Sequence, residues 1–222
     1  MRSNIIDSIR GVAFILMLIH HFYYFNPNYS YVPKNVETIG LISRTLFVFL
    51  VGFNIKYYEK KKIKYKNQIK ILIAALLVTF TTYIFLPFNK MIFFGILHFI
   101  FVSTFLMKHL SFNYLLILLI LILSKVGKRY FNFNITDNYF KLALAGSSFN
   151  KNPIDIFQLF EWIPLVCIGM ITGGIFKEFD KEFLINNKIT FPLEFIGKNS
   201  LILYLIHVIP CIYWMSFKFK KQ

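Results

Sequence analysis

Asn4-Ile5-Ile6-Asp7-Ser8-Ile9-Arg10-Gly11-Val12, continued through Ala13-Phe14-Ile15-Leu16-Met17-Leu18 to Ile19-His20-His21-Phe22, is a long apolar stretch with charged or titratable groups at both ends. A carboxylate and a guanidinium stand at its start, and two histidines near its end. A helix that only anchors a chain in lipid needs none of these groups, because each is costly to place there. The stretch therefore reads as the beginning of a membrane-embedded active site. Arg10 and His21 are eleven positions apart, close to three helical turns, so both face one side at about 16 Å along the axis. His20 points about 80° away from that face. Asp7, one turn before Arg10, is placed to pair with it and lessen its burial cost. The plainer alternative is an Arg10 that snorkels to headgroups and two interfacial histidines.

The rest of the chain supports a membrane setting. Of 222 residues, 57% are hydrophobic and 19% aromatic, with a mean hydropathy of +0.59. The apolar residues fall in long runs, which points to an all-α, polytopic transmembrane helical bundle. Spans are expected near 8–25, 38–57, 68–87, 91–108, 112–126, 155–176 and 196–216, about seven in all. The length suits one integral membrane domain over 1–222 and leaves no room for a separate soluble one.

The formal net charge of +15 would suggest nucleic acid in a soluble protein. Here the lysines sit mostly in short connections between apolar runs, where they set orientation and meet anionic headgroups. The densest basic segment, Lys56–Lys70, is expected on the cytoplasmic side, which places the N-terminus there too. The connection Lys125–Pro153 then lies outside, and its aromatics Tyr130, Phe131, Phe133, Tyr139 and Phe140 suit the membrane interface or a cap on a cavity. Cys167 and Cys211 sit singly in apolar runs, with no metal-ligand spacing.

Four further stretches carry chemistry. Ser43-Arg44-Thr45-Leu46-Phe47-Val48-Phe49-Leu50-Val51-Gly52 puts an arginine inside the second span, where it needs a carboxylate, a cavity or an anionic ligand. Gly95-Ile96-Leu97-His98 places a histidine within the fourth, equally consistent with structure or function. Asp155, Glu161 and Trp162 open the sixth, with Glu161 the economical partner for Arg44. Gly197-Lys198-Asn199-Ser200 opens the last, which carries His207 one turn beyond Tyr204.

In this order the stretches resemble the heparan-α-glucosaminide N-acetyltransferase catalytic-domain family of small prokaryotic membrane proteins. They are similar as well to the wider acyltransferase-3 group, whose Arg-x10-His signature Arg10 and His21 match. Two places depart from the family's pattern: Phe25-Asn26 stands where Asp-Leu is frequent, and Gln158 and Glu161 replace two prolines. The resemblance implies a membrane acyltransferase, acetyl-CoA as donor, and a saccharide or similar amine or hydroxyl acceptor on the outer side. It implies a catalytic set of His21, Arg10, His98 and Arg44, with Arg10, Arg44, Asp7 and Ser43 toward the donor. Asp155, Glu161, Trp162, Asn199, Ser200 and His207 would support them. Membrane lipid, and a second copy in a homo-oligomer, are the other expected partners; nucleic acid and metal are not. Two rival readings keep the fold: a small proton-coupled transporter, and a non-catalytic membrane subunit. A transporter would more often show symmetric Gly/Pro-broken helix pairs, and none is visible in the sequence.

Overall fold

A computed structural model describes residues 4–26, 28, 32–58, 65–109, 114–130, 143, 155–179 and 191–220. The described helices are α1 (Asn4–Phe25), α2 (Lys34–Tyr57), α3 (Tyr65–Phe85), α4 (Ile96–His109) and α5 (Tyr114–Tyr130), followed by α6 (Leu159–Phe179), α7 (Phe191–Lys198) and α8 (Ser200–Lys220). A 3-10 turn, Phe88–Lys90, lies between α3 and α4. Among the described residues there is no strand, only one parallel bridge between Phe94 and Ile156.

Among the described residues, five helices are long and apolar enough to cross a membrane: α1, α2, α3, α6 and α8. The shorter apolar helices Ile96–Lys108 and Leu115–Gly127 make seven, as the hydropathy pattern predicts. The outer surface agrees. On α3, Ile69, Ile73, Leu76, Phe80 and Ile84 recur one turn apart and are each more than half exposed. Such a stripe suits lipid as solvent, with the helix satisfying its own backbone polar groups.

Glycine sets how closely the helices approach. On α2 and α6, a Cβ at Gly52 would overlap the Val166 carbonyl, and one at Gly169 would overlap the Phe49 carbonyl. The α1–α7 contact is built in the same way, with Gly11 against the Leu193 carbonyl and Gly197 against that of Asp7. Small residues let backbones meet where no hydrophobic effect drives helices together. Across α1 and α2, the buried Ser43 Oγ donates to the Ala13 carbonyl at 2.7 Å. The core between these layers includes Phe14, Met17, Val48, Phe99, Phe157, Val166, Met170, Val208 and Ile212.

Three spans begin or divide differently from the hydropathy reading for a local reason visible in the structure. The fourth span, expected from 91, becomes helical only at Ile96. Pro87 and the 3-10 turn break the chain after α3, and Ile96 N–H donates to Asp155 Oδ2 at 3.4 Å, which caps the new helix. The sixth, expected from 155, begins at Leu159, because Ile156 is bridged to Phe94 and Phe157 N–H donates to the Phe94 carbonyl at 2.9 Å. The last, expected as one span from 196, is divided at Asn199: Gly197 belongs to α7 and packs on α1, and α8 starts at Ser200. Residues 125–130 of the long fifth connection belong to α5. Its aromatics Phe131, Phe133, Tyr139 and Phe140 lie outside the described residues, as does much of the basic connection between α2 and α3.

Candidate active site

A cavity of about 610 Å³ opens where the C-terminal half of α1 meets the N-terminal half of α2, the start of α4 and the segment before α6. His20, His21 and Tyr24 line it from α1, and Lys34, Glu37, Thr38, Ser43 and Arg44 from α2. Ile96, Asp155 and Phe157 close one wall, and Tyr204 and Val208 of α8 another.

Three of the polar groups are held by specific neighbours. Arg44 Nε donates to the Gly40 carbonyl at 3.3 Å, leaving the outer guanidinium nitrogens toward the cavity without a hydrogen-bond partner among the described residues. Gly40 is needed at its own position too, since a Cβ there would strike the His20 ring. His20 in turn stacks on Tyr24, with centroids 5.5 Å apart and planes 20° apart. The carboxylate of Asp155 sits at the N-terminus of α4, where the helix dipole and the Ile96 N–H favour its charge. Gly95 leaves room for it, since a Cβ there would lie 3.0 Å from Asp155 Oδ2. Burial nevertheless pushes the Asp155 carboxyl above the usual carboxylate range, with the Arg44 guanidinium and the Ile96 N–H pulling it back down.

His21 reaches across to α8, where its Nδ1 lies 2.9 Å from His207 Nε2. The two imidazoles are surrounded by ring edges. Phe25 meets His21 with centroids 5.1 Å apart, and Phe14 and Tyr204 meet His207 at 5.4 and 5.5 Å. His21 and His207 also line a separate apolar groove of about 480 Å³, with Leu18, Phe22, Cys211 and Trp214.

The model of the family described as heparan-alpha-glucosaminide N-acetyltransferase, catalytic, matches residues 2–209. The chain belongs to that family. No curated protein and no solved structure matches it. Membership in this acetyltransferase family makes a transferase in a helical membrane fold the frame for the site.

Within that frame the structure brings some of the sequence candidates together and separates others. His21, Arg44, Ser43 and Asp155 share the cavity, and His207 joins through His21. Arg10 does not line it: Arg10 Nη1 donates to Asp7 Oδ1 at 2.6 Å, at the end of α1 that α7 covers, and the cavity stops at Met17. His98 does not line it either; its Nε2 lies 3.2 Å from Thr79 Oγ1, which itself donates to the Ile92 carbonyl. Of the Gly-Ile-Leu-His stretch, the half that shapes the cavity is Gly95 and Ile96.

Glu161 is exposed on α6, and the carboxylates that share the cavity with Arg44 are Asp155 and Glu37. Trp162 packs on Phe157, with centroids 5.0 Å apart, behind the cavity wall. Asn199 Nδ2 donates to the Phe195 carbonyl, and Ser200 opens α8; neither lines the cavity. Among the described residues, no group of three or more His, Cys, Asp or Glu side chains is placed to hold a metal ion.

Residues the motif reading passed over are His20, Tyr24 and Tyr204. Tyr204 is buried and lines the cavity. Its position three residues before His207 was the available signal, because i and i+3 lie on one helix face.

Proposed function

We propose that the chain moves an acetyl group from acetyl-CoA to an amine or hydroxyl acceptor, an amino sugar or a related glycan group, within this cavity. The observation that carries the reading is the convergence of His21, Arg44, Asp155 and Tyr204 on one cavity between α1, α2, the start of α4, the segment before α6 and α8. His21 takes the proton from the attacking amine or hydroxyl, a role suited to imidazole near neutral pH. Arg44, with donors free toward the cavity, and the Tyr204 hydroxyl stabilise the oxyanion as the thioester carbonyl becomes tetrahedral. The Asp155 carboxyl, in the same cavity, lies within electrostatic reach of that guanidinium. The carbon–sulfur bond then breaks, and the CoA thiolate takes a proton from His21.

Arg10, about 16 Å from His21 along α1, is assigned to the phosphate-bearing end of the donor, since a guanidinium suits phosphate oxygens. We place that end on the cytoplasmic side of the cell membrane with the N-terminus, and the acceptor on the outer side. Arg10→Ala should raise the KM for acetyl-CoA about tenfold, roughly 1.4 kcal/mol of binding, with a smaller change in kcat. An unchanged KM would remove Arg10 from the donor site.

The direct test is purified protein in detergent with acetyl-CoA and a panel of amino sugars. Free CoA should appear at a rate set by one or more of the acceptors. A protein that neither releases CoA nor is stabilised by it against heat would contradict the reading.

A further inference from the structure

The histidine pair carries more than proximity, because its hydrogen bonds determine where the protons sit. His207 Nδ1 lies 3.1 Å from the Leu203 carbonyl oxygen. A carbonyl can only accept, so that nitrogen bears the hydrogen. Neutral His207 then has a bare Nε2, which must accept across the 2.9 Å contact from His21 Nδ1. The two rings are within 27° of coplanar with centroids 5.1 Å apart, a separation accounted for by the nitrogen contact plus the two ring radii. They meet edge to edge, as an N–H···N bond requires.

We infer that His207 is the positioning residue of the reaction: through the chain Leu203 C=O, His207, His21 it holds His21 as the Nδ1–H tautomer and leaves His21 Nε2 as the bare nitrogen for the acceptor. This rests on the acyl-transfer reading for its chemistry, although the tautomer itself does not. In the reaction the acceptor N–H or O–H bond breaks and its proton goes to His21 Nε2 as the new bond to the acetyl carbon forms. The His21 Nδ1 proton is then shared with His207 Nε2, so the positive charge spreads over two rings. When the carbon–sulfur bond breaks, its electron pair goes to sulfur. The thiolate recovers the proton from His21 Nε2, and both rings return to neutral. A backbone carbonyl thus does the orienting that a carboxylate performs in a Ser-His-Asp triad. The edges of Phe14, Phe25 and Tyr204 keep both rings from turning.

Two measurements test this. The first is 15N NMR of histidine-labelled wild-type protein at pH ~8, above the unperturbed imidazole range, with His21→Asn and His207→Gln for assignment. Both histidines should show the Nδ1–H tautomer with a bare Nε2; an Nε2–H signal from His21 would overturn the inference, whatever the activity. The second compares kcat in variants that remain monodisperse in detergent. His207→Leu leaves His21 Nδ1–H without an acceptor and should lower kcat about 100-fold, with the KM for acetyl-CoA little changed. His207→Gln, whose amide oxygen can accept the same hydrogen, should recover most of that loss. Equal rates in the Leu and Gln variants would reduce His207 to a packing role and sink the proposal. The expected tautomers with no CoA release from any acceptor would instead leave the pair standing and defeat the acetyltransferase reading.

Discussion

At the scale of single residues, the site depends on polar groups whose partners come from distant parts of the chain. Asp155 illustrates this: it caps α4, faces Arg44 and belongs to neither helix. Asp155→Ala should lower stability by about 1 kcal/mol through the lost cap, and Asp155→Asn by less, since an amide oxygen still caps. Thermal unfolding in detergent would show the order, and equal losses would contradict the capping role. Ser43 was a donor-site candidate, but its hydroxyl hydrogen is committed to the Ala13 carbonyl. Ser43→Ala should therefore cost about 1 kcal/mol of stability without changing the KM for acetyl-CoA; a raised KM would restore it to the donor site. His21 was legible in the sequence because helical phase alone puts it on one face with Arg10. The carboxylate near Arg44 was not legible as Asp155. The choice between it and Glu161 turns on an extended segment lying against Phe94, and no periodicity reports that contact.

At the scale of helices, hydropathy finds the apolar runs but not where they break. The pause at 91–95 and the division at Asn199 both fall inside stretches that hydropathy assigns to a single span, and both depend on tertiary partners: Asp155 for α4 and the α1 backbone for α7. Glycine marks where backbones approach most closely, and the structure names the surfaces these residues meet. Gly52→Ala should push α2 from α6 and destabilise by about 1–3 kcal/mol, because its Cβ would overlap backbone that cannot turn aside. Gly127→Ala should cost less, since its Cβ would stand 3.2 Å from the movable Phe160 ring. Chemical or thermal denaturation of the two variants tests the contrast; similar losses would argue against backbone contact at Gly52. Gly40→Ala is the functional counterpart. Its Cβ would displace the His20 ring at the cavity wall and should lower activity more than stability.

At the scale of the whole molecule, α1, α2, α4, α8 and the segment before α6 enclose a cavity that no stretch of local sequence contains. The stretches that carry the family resemblance divide between two places. Asp7, Arg10, Gly11 and Gly197 meet where α1 packs on α7, and His21, Arg44, Gly95 and His207 gather around the cavity and its histidine pair. Motif order in the chain therefore shows membership in one fold but not membership in one site, which is why Arg10 and His98 read as companions of His21 and are placed apart from it. The central claim is that acetyl transfer occurs at His21, in the cavity, and not at His98 behind it. The most direct measurement is single-turnover release of CoA from acetyl-CoA by the purified wild type, His21→Ala and His98→Ala, with a saturating acceptor. The account predicts loss of about a thousandfold or more for His21→Ala, as for removal of a general base, and a loss below about tenfold for His98→Ala. Full turnover by His21→Ala, or a greater loss in His98→Ala, would contradict it.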